Sequence, residues 1–130
     1  MNTAAPFTAN PMDYINSIAV FGEIKRTIIS KDFKGGKIQN LFGKTVLDFT
    51  RADIQGMAVI DISEAFGETI IVVPAEWRVE SDQTLILATY DDKRQNSSQS
   101  INPNKVLILT GFSIFAAIKV VQMAWAANNG

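Results

Sequence analysis

The chain of 130 residues contains no cysteine and no histidine. Without thiols there is no disulfide, no thiolate nucleophile and no Cys-type zinc site. Without imidazole the commonest general base, the usual partner of a catalytic serine and the commonest metal ligand are lost together. An excess of either charge is missing too, since 12 Lys and Arg stand against 13 Asp and Glu, a formal net charge of −1. That balance argues against the basic surface that nucleic acid requires and against a polybasic membrane patch. Long apolar runs are scarce. The longest, Phe112 to Val121, is broken by Lys119 and reaches about half the length needed to cross a bilayer. Residues Met1 to Pro6 carry no Lys or Arg and no apolar stretch of signal-peptide length. These absences describe a soluble chain, expected in the cytoplasm, or at the inner face of the membrane as one piece of a longer protein.

What is present is a 47% apolar composition, enough for one ordinary core in a single domain. Short runs rich in β-branched and aromatic residues recur: Ile15 to Val20, Arg26 to Ile29, Lys44 to Thr50, Met57 to Ile62, Thr69 to Val73, Trp77 to Val79, Thr84 to Thr89 and Lys105 to Thr110. Val59-Ile60-Asp61-Ile62 alternates with the period of a half-buried strand. Helical signals are confined to one turn at Arg51 to Ile54 and a continuation from Phe115 to Ala127. Gln95 to Asn104 reads as a polar loop. The reading divides the chain into an arm or N-terminal cap at 1–14, a β domain at 15–121 and a C-terminal cap or tail at 122–130.

Repeats decide the architecture. Val20-Phe21-Gly22-Glu23-Ile24 is echoed by Leu41-Phe42-Gly43-Lys44-Thr45 and Ala65-Phe66-Gly67-Glu68-Thr69, then more weakly around Tyr90 and Phe115. The aromatic positions 21, 42, 66, 90 and 115 lie 21, 24, 24 and 25 residues apart. A period of this length in a β-rich chain predicts an all-β, single-stranded, right-handed parallel β-solenoid of about five short turns with irregular terminal caps. Equivalent side chains then stack, so Phe21, Phe42, Phe66, Tyr90 and Phe115 are expected as an interior aromatic ladder. Gly22, Gly43 and Gly67 are expected at tight corners, where φ is positive or stacked backbones leave no room for a Cβ. The competing architecture, an antiparallel meander, needs two-residue turn signals that only Gly35-Gly36 supplies. Met123 and Trp125, beyond the last strand, serve either as a cap or as an interface by which the C-terminal edge pairs with a second copy.

Candidate chemistry is thin. Asp91-Asp92 beside Lys93-Arg94 is the densest charge cluster, read as a cation or acid–base site or as a solvated turn. Asp48, Asp61 and Glu64 could converge on stacked turns, although the alternation around Asp61 directs it outward. Lys34-Gly35-Gly36-Lys37 lacks the spacing of a phosphate loop and reads as a plain turn. Ser97, Ser98 and Ser100 have no imidazole to activate them. Trp77 is read as a packing residue. No catalytic, cofactor-binding or metal-binding residue is assigned, and no cofactor is expected.

Two stretches resemble a known family. Phe42-Gly-Lys-Thr-Val-Leu-Asp-Phe-Thr-Arg-Ala-Asp-Ile54 and Ala65-Phe-Gly-Glu-Thr-Ile-Ile-Val-Val-Pro-Ala-Glu-Trp-Arg-Val79 are similar to the C-terminal domain of LiaF-type cell-wall-active antibiotic response proteins. The resemblance covers Ser17 to Val121. It implies a β-solenoid that takes part in envelope-stress signalling through a sensor kinase. The family's second glycine after Phe-Gly is replaced by Glu23, Lys44, Glu68 and Ala117. The expected function is a non-catalytic regulatory or protein-interaction domain, with a protein partner. The alternatives are a small carbohydrate-binding or carbohydrate-active β-helix protein, which needs an aromatic groove with converging carboxylates, and a structural homo-oligomerisation module.

Overall fold

Period-two alternation makes one face of each strand apolar, and each strand buries that face against the interior of a coil. The computed structural model describes residues 13–94 and 101–122, which form ten strands and no α-helix. These are β1 (Tyr14–Val20), β2 (Glu23–Thr27), β3 (Gly35–Leu41), β4 (Lys44–Asp48), β5 (Met57–Ala65), β6 (Glu68–Val73), β7 (Trp77–Ile86), β8 (Thr89–Asp92), β9 (Asn102–Ile114) and β10 (Ala117–Gln122). Odd-numbered strands form one five-stranded sheet and even-numbered strands the other. Every pairing is parallel. The chain is a β-solenoid of five two-strand turns. The expected helix after Phe115 is strand β10 as far as Gln122, and Arg51 to Ile54 is non-helical.

The turns do not stack in chain order. The first sheet runs β1-β3-β5-β9-β7 and the second β2-β4-β6-β10-β8, so the fifth turn lies between the third and the fourth. The connection from β6 to β7 therefore steps over a space about two strand spacings wide, ~10 Å, which Pro74, Ala75 and Glu76 are long enough to span. Polar anchors fasten the return. Asn102 N–H donates to the Glu76 carbonyl (2.8 Å), the Arg94 guanidinium donates to the Trp77 carbonyl (2.6 Å), and the Lys105 ammonium pairs with Asp53 (2.7 Å). This order corrects the expected C-terminal edge for self-association. Strand β9 is flanked by β5 and β7, and β10 by β6 and β8, so neither offers a free edge. Met123 and Trp125 lie outside the described residues, as do 1–12 of the arm, the rest of the tail and Ser97, Ser98 and Ser100.

The aromatic core is not the expected one. Inside the coil, Phe33, Phe49 and Trp77 pile up with ring centroids 4.9 and 5.6 Å apart, all three at most 1% exposed. They sit on the segments that return each turn from the second sheet to the first, packed among Ile54, Ile60, Leu47 and Leu109. Trp77 is the packing residue its sequence context suggests. Gly35-Gly36 is the start of β3 rather than a turn; any Cβ there would overlap the backbones of Val59 and Ile15, so glycine permits the strands to close.

Candidate docking surface

Phe21, Phe42, Phe66, Leu87 and Phe115 occupy equivalent corners between the two sheets, and all five have φ between 49° and 56°. Backbone hydrogen bonds run through this row in stack order: Phe21 N–H donates to the Leu41 carbonyl, Phe42 to Ala65, Phe66 to Ile114 and Phe115 to Ile86, each at 3.0–3.1 Å. The residue two after each corner continues the pattern by donating to the carbonyl of the residue one after the neighbouring corner: Lys44 N–H to Gly22, Glu68 to Gly43, Ala117 to Gly67 and Thr89 to Ala116. The left-handed conformation thus falls on the aromatic residue, and the glycine after it answers a different need. A Cβ on Gly43 would lie 2.6 Å from the Gly22 carbonyl oxygen, and one on Gly67 2.5 Å from that of Gly43. Close stacking of backbones is the reason for these glycines.

The four rings stack nearly face to face at 5.2, 5.0 and 5.3 Å, in the order Phe21, Phe42, Phe66, Phe115. They do so on the outside of the coil. Phe42, Phe66 and Phe115 remain about half exposed, and Phe21 and Leu87 at the two ends are 74% exposed. Tyr90 is not part of the row. It pairs in register with Ile118 on the interior side, packs against the core, and burial pushes its phenol up to about 12. The fifth corner belongs to Leu87, which an aromatic-only pattern passes over although it lies 21 residues after Phe66, the Phe21-to-Phe42 interval.

The ladder continues onto the outer face of the first sheet. Val20, Leu41, Ala65, Ile114 and Ile86 form the adjacent row, and Ile18, Gln39, Ser63 and Phe112 the next. Ile18, Val20, Leu41, Ile86 and Phe112 are 40–61% exposed. The small side chains of Ser63 and Ala65 leave a groove of about 280 Å³ between Leu41 and Phe112. Taken with the ladder, the stripe presents on the order of 1,000 Å² of apolar surface, given that a large aromatic side chain carries ~150–250 Å². The largest such patch on an ordinary monomer is ~300–600 Å². On the second sheet the outward-facing Ile70, Val72 and Val121 are buried, so the open apolar area is one-sided.

Behind the groove, on the inward face of the same strands, lies a polar cluster. Asn40, Glu64 and Ser113 are register partners in the first sheet, two residues before their corners; Thr45 and Thr69 are partners in the second, three residues after theirs. All five are at most 2% exposed. The Asn40 amide crosses the corner to donate to the Glu68 carbonyl (3.0 Å). Among the described residues, Asn40 Oδ1, both Glu64 carboxyl oxygens and the hydroxyls of Thr45, Thr69 and Ser113 make no hydrogen bond of good geometry, although Thr69 and Asn40 lie near enough to the Glu64 carboxyl to favour its charged form. Burial pushes the Glu64 carboxyl up from 4.5 to about 7, with Glu68 adding to the rise and Thr69 and Asn40 opposing it. Counting two residues back and three on from each corner finds these positions, which in the first turn hold Ala19 and Ile24.

The other sequence candidates separate. Asp61 faces outward and accepts from the Thr110 hydroxyl (3.1 Å), Asp48 accepts from Thr50 on the second sheet, and Glu64 is interior, so these carboxylates do not converge. Asp91 pairs with Lys93 and Asp92 with Arg94, each within the cluster itself. Among the described residues no group of three or more acidic side chains is placed to hold a metal ion, and no helix is long and apolar enough to cross a membrane.

The model of the family described as "Cell wall-active antibiotics response LiaF, C-terminal" matches residues 17–119. The chain belongs to this family. Membership ties the solenoid to the response to cell-wall-active antibiotics. No curated protein and no solved structure matches the chain.

Proposed function

We propose that this LiaF-like domain is a non-catalytic docking module, and that its apolar stripe seats an apolar segment of a partner protein in envelope-stress signalling. The observation that carries the reading is the corner row. Five large apolar side chains stand exposed at positions whose left-handed backbone favours glycine or asparagine and costs other residues about 1–2 kcal/mol each. Local conformation does not ask for phenylalanine there, and burial and stacking use only about half of each ring or less; a partner surface would use the rest.

The rims select the occupant. At the middle turn the stripe is bracketed by Asp61 on one side and Glu68 on the other. Packing two copies stripe to stripe about an axis across the stripe sets each of these carboxylates against itself. Packing them about an axis along it sets Asp61 against Glu68 and Lys37 against Lys44. Like charges in register disfavour a second copy, and the same carboxylates disfavour an anionic bilayer. A heterologous apolar segment with Lys or Arg opposite Asp61 satisfies the surface, since Glu68 is already paired with Lys119 (2.7 Å). In a family linked to envelope stress, a sensor kinase is the partner of choice. The stripe is comparable with the ~800 Å² that one partner contributes to a stable interface.

Titration calorimetry with the cytoplasmic part of an envelope-stress sensor kinase from the same organism tests the reading. Leu41→Glu or Phe112→Glu should weaken binding at least tenfold while leaving the melting temperature within a few degrees. Unchanged binding in both variants contradicts it. Light scattering should report a monomer; a dimer abolished by Leu41→Glu would reassign the stripe to a second copy.

A further inference from the structure

Among the described residues Glu64 is the one acidic side chain that the solenoid turns into its interior beside the groove, and its chain neighbours Ser63 and Ala65 form the groove floor. Groups facing it from every packed element are neutral: Asn40 from β3, Ser113 from β9, Thr45 from β4 and Thr69 from β6. The nearest charge is the Glu68 carboxylate, which is held by Lys119 of β10 (2.7 Å), and Lys44 lies beside Glu68 on the outer face. Among the described residues no Lys or Arg reaches this level of the interior. Four neutral oxygen atoms, those of Asn40, Thr45, Thr69 and Ser113, surround a carboxyl that has no counter-charge. An ionised carboxylate in such a place must be relieved by hydration, and the only route is to part the strands that enclose it.

We propose that Glu64 makes the docking stripe proton-sensitive: with the carboxyl protonated the groove floor is closed, and on ionisation the β3-β5-β9 segment before the corner opens to water. This rests on the reading of the stripe as a docking face, and it extends that reading to its regulation. Burial and the missing counter-charge favour the neutral acid, in keeping with the upward displacement of its titration toward neutrality. Any local opening that hydrates Glu64 should become about tenfold more populated between pH 6 and pH 8, because the closed form resists ionisation over that interval and the open form does not.

Amide hydrogen exchange, corrected for the intrinsic pH dependence of exchange, tests this without a partner. In the wild-type domain, protection at Asn40–Phe42, Ser63–Phe66 and Phe112–Phe115 should fall about tenfold from pH 6 to pH 8 and should lie at least tenfold below that near Ile60 and Leu107 at both pH values, because these segments open without global unfolding. Glu64→Gln, an isosteric mimic of the protonated acid, should flatten the profile, and Glu64→Leu should do the same. A wild-type profile independent of pH, or an equal fall in Glu64→Gln, overturns the proposal. So does protection in these segments equal to that near Ile60 and Leu107 at both pH values, which would assign the carboxyl to global stability alone. Because the readout needs no ligand, failure here is distinct from failure of the surface variants to lose kinase binding.

Discussion

Two aromatic rows run through this solenoid, and they do opposite work. Phe33, Phe49 and Trp77 meet at tilted or edge-on angles inside the coil and are shut off from water. Phe21, Phe42, Phe66 and Phe115 stack almost in parallel outside it and stay half exposed or more. The interior row is irregular because each ring fills whatever space its return segment leaves, as close-packed cores demand. The exterior row is regular because the parallel register repeats it every turn at the strand spacing. Regularity in the sequence therefore marks position on the coil and says nothing of burial.

The contrast can be broken most forcefully from the inside. Trp77→Ala should cost about 3–5 kcal/mol in chemical denaturation, the range for emptying a fully buried aromatic site. Against total stabilities of about 5–15 kcal/mol that is enough to threaten folding.

Next in size is the polar section of the interior. Folding favours neutral Glu64, whose titration lies near 7 when folded and near 4.5 when unfolded. Its contribution is fully present below pH 4.5 and is lost as the pH rises to about 7, a change of about 3 kcal/mol. Urea midpoints measured across that window should fall in the wild type and stay flat in Glu64→Gln.

The corner gives a middling effect. Gly67→Val should destabilise by about 1–3 kcal/mol, since its Cβ would press on the Gly43 carbonyl oxygen at 2.5 Å. Gly22→Ala, with nothing closer than 4.0 Å, should be nearly silent in the same thermal melts.

The smallest effect inverts a familiar order. Phe66→Ala removes a half-exposed ring and should cost about 1–2 kcal/mol, counting partial burial and lost stacking. Phe66→Gly should be less damaging than Phe66→Ala, because φ of 55° suits glycine. Paired unfolding curves decide it, and alanine proving the milder change would deny the strain.

Much of the architecture was legible in the sequence. The Phe-Gly period reports the five-turn solenoid because parallel stacking forces equivalent residues into register, and it places corners at Phe21, Phe42, Phe66 and Phe115. It misleads at Tyr90, since a spacing of 24 matches the preceding interval while the true corner, Leu87, carries no ring. The inward turn of Tyr90 is set by its pairing with Ile118, a long-range fact. The exchange of the last two turns was equally hidden: strand order depends on which backbone β9 pairs with, and both β5 and β7 present compatible alternation. Glu64 was legible only as one of three carboxylates that could converge; its burial was not, because a lone carboxylate in an alternating strand normally faces water. Strand β3 was missed because glycines that close two backbones together look, in one dimension, like a turn.

The most direct test sets one ring of each row against the other. Phe49→Ala and Phe66→Ala remove the same side chain from the same coil, and equilibrium denaturation of the two should differ by at least about 2 kcal/mol, with Phe49→Ala the more damaging. Equal losses, or a larger loss at Phe66, would mean that the outer ladder is structural core and that the stripe was never free to receive a partner.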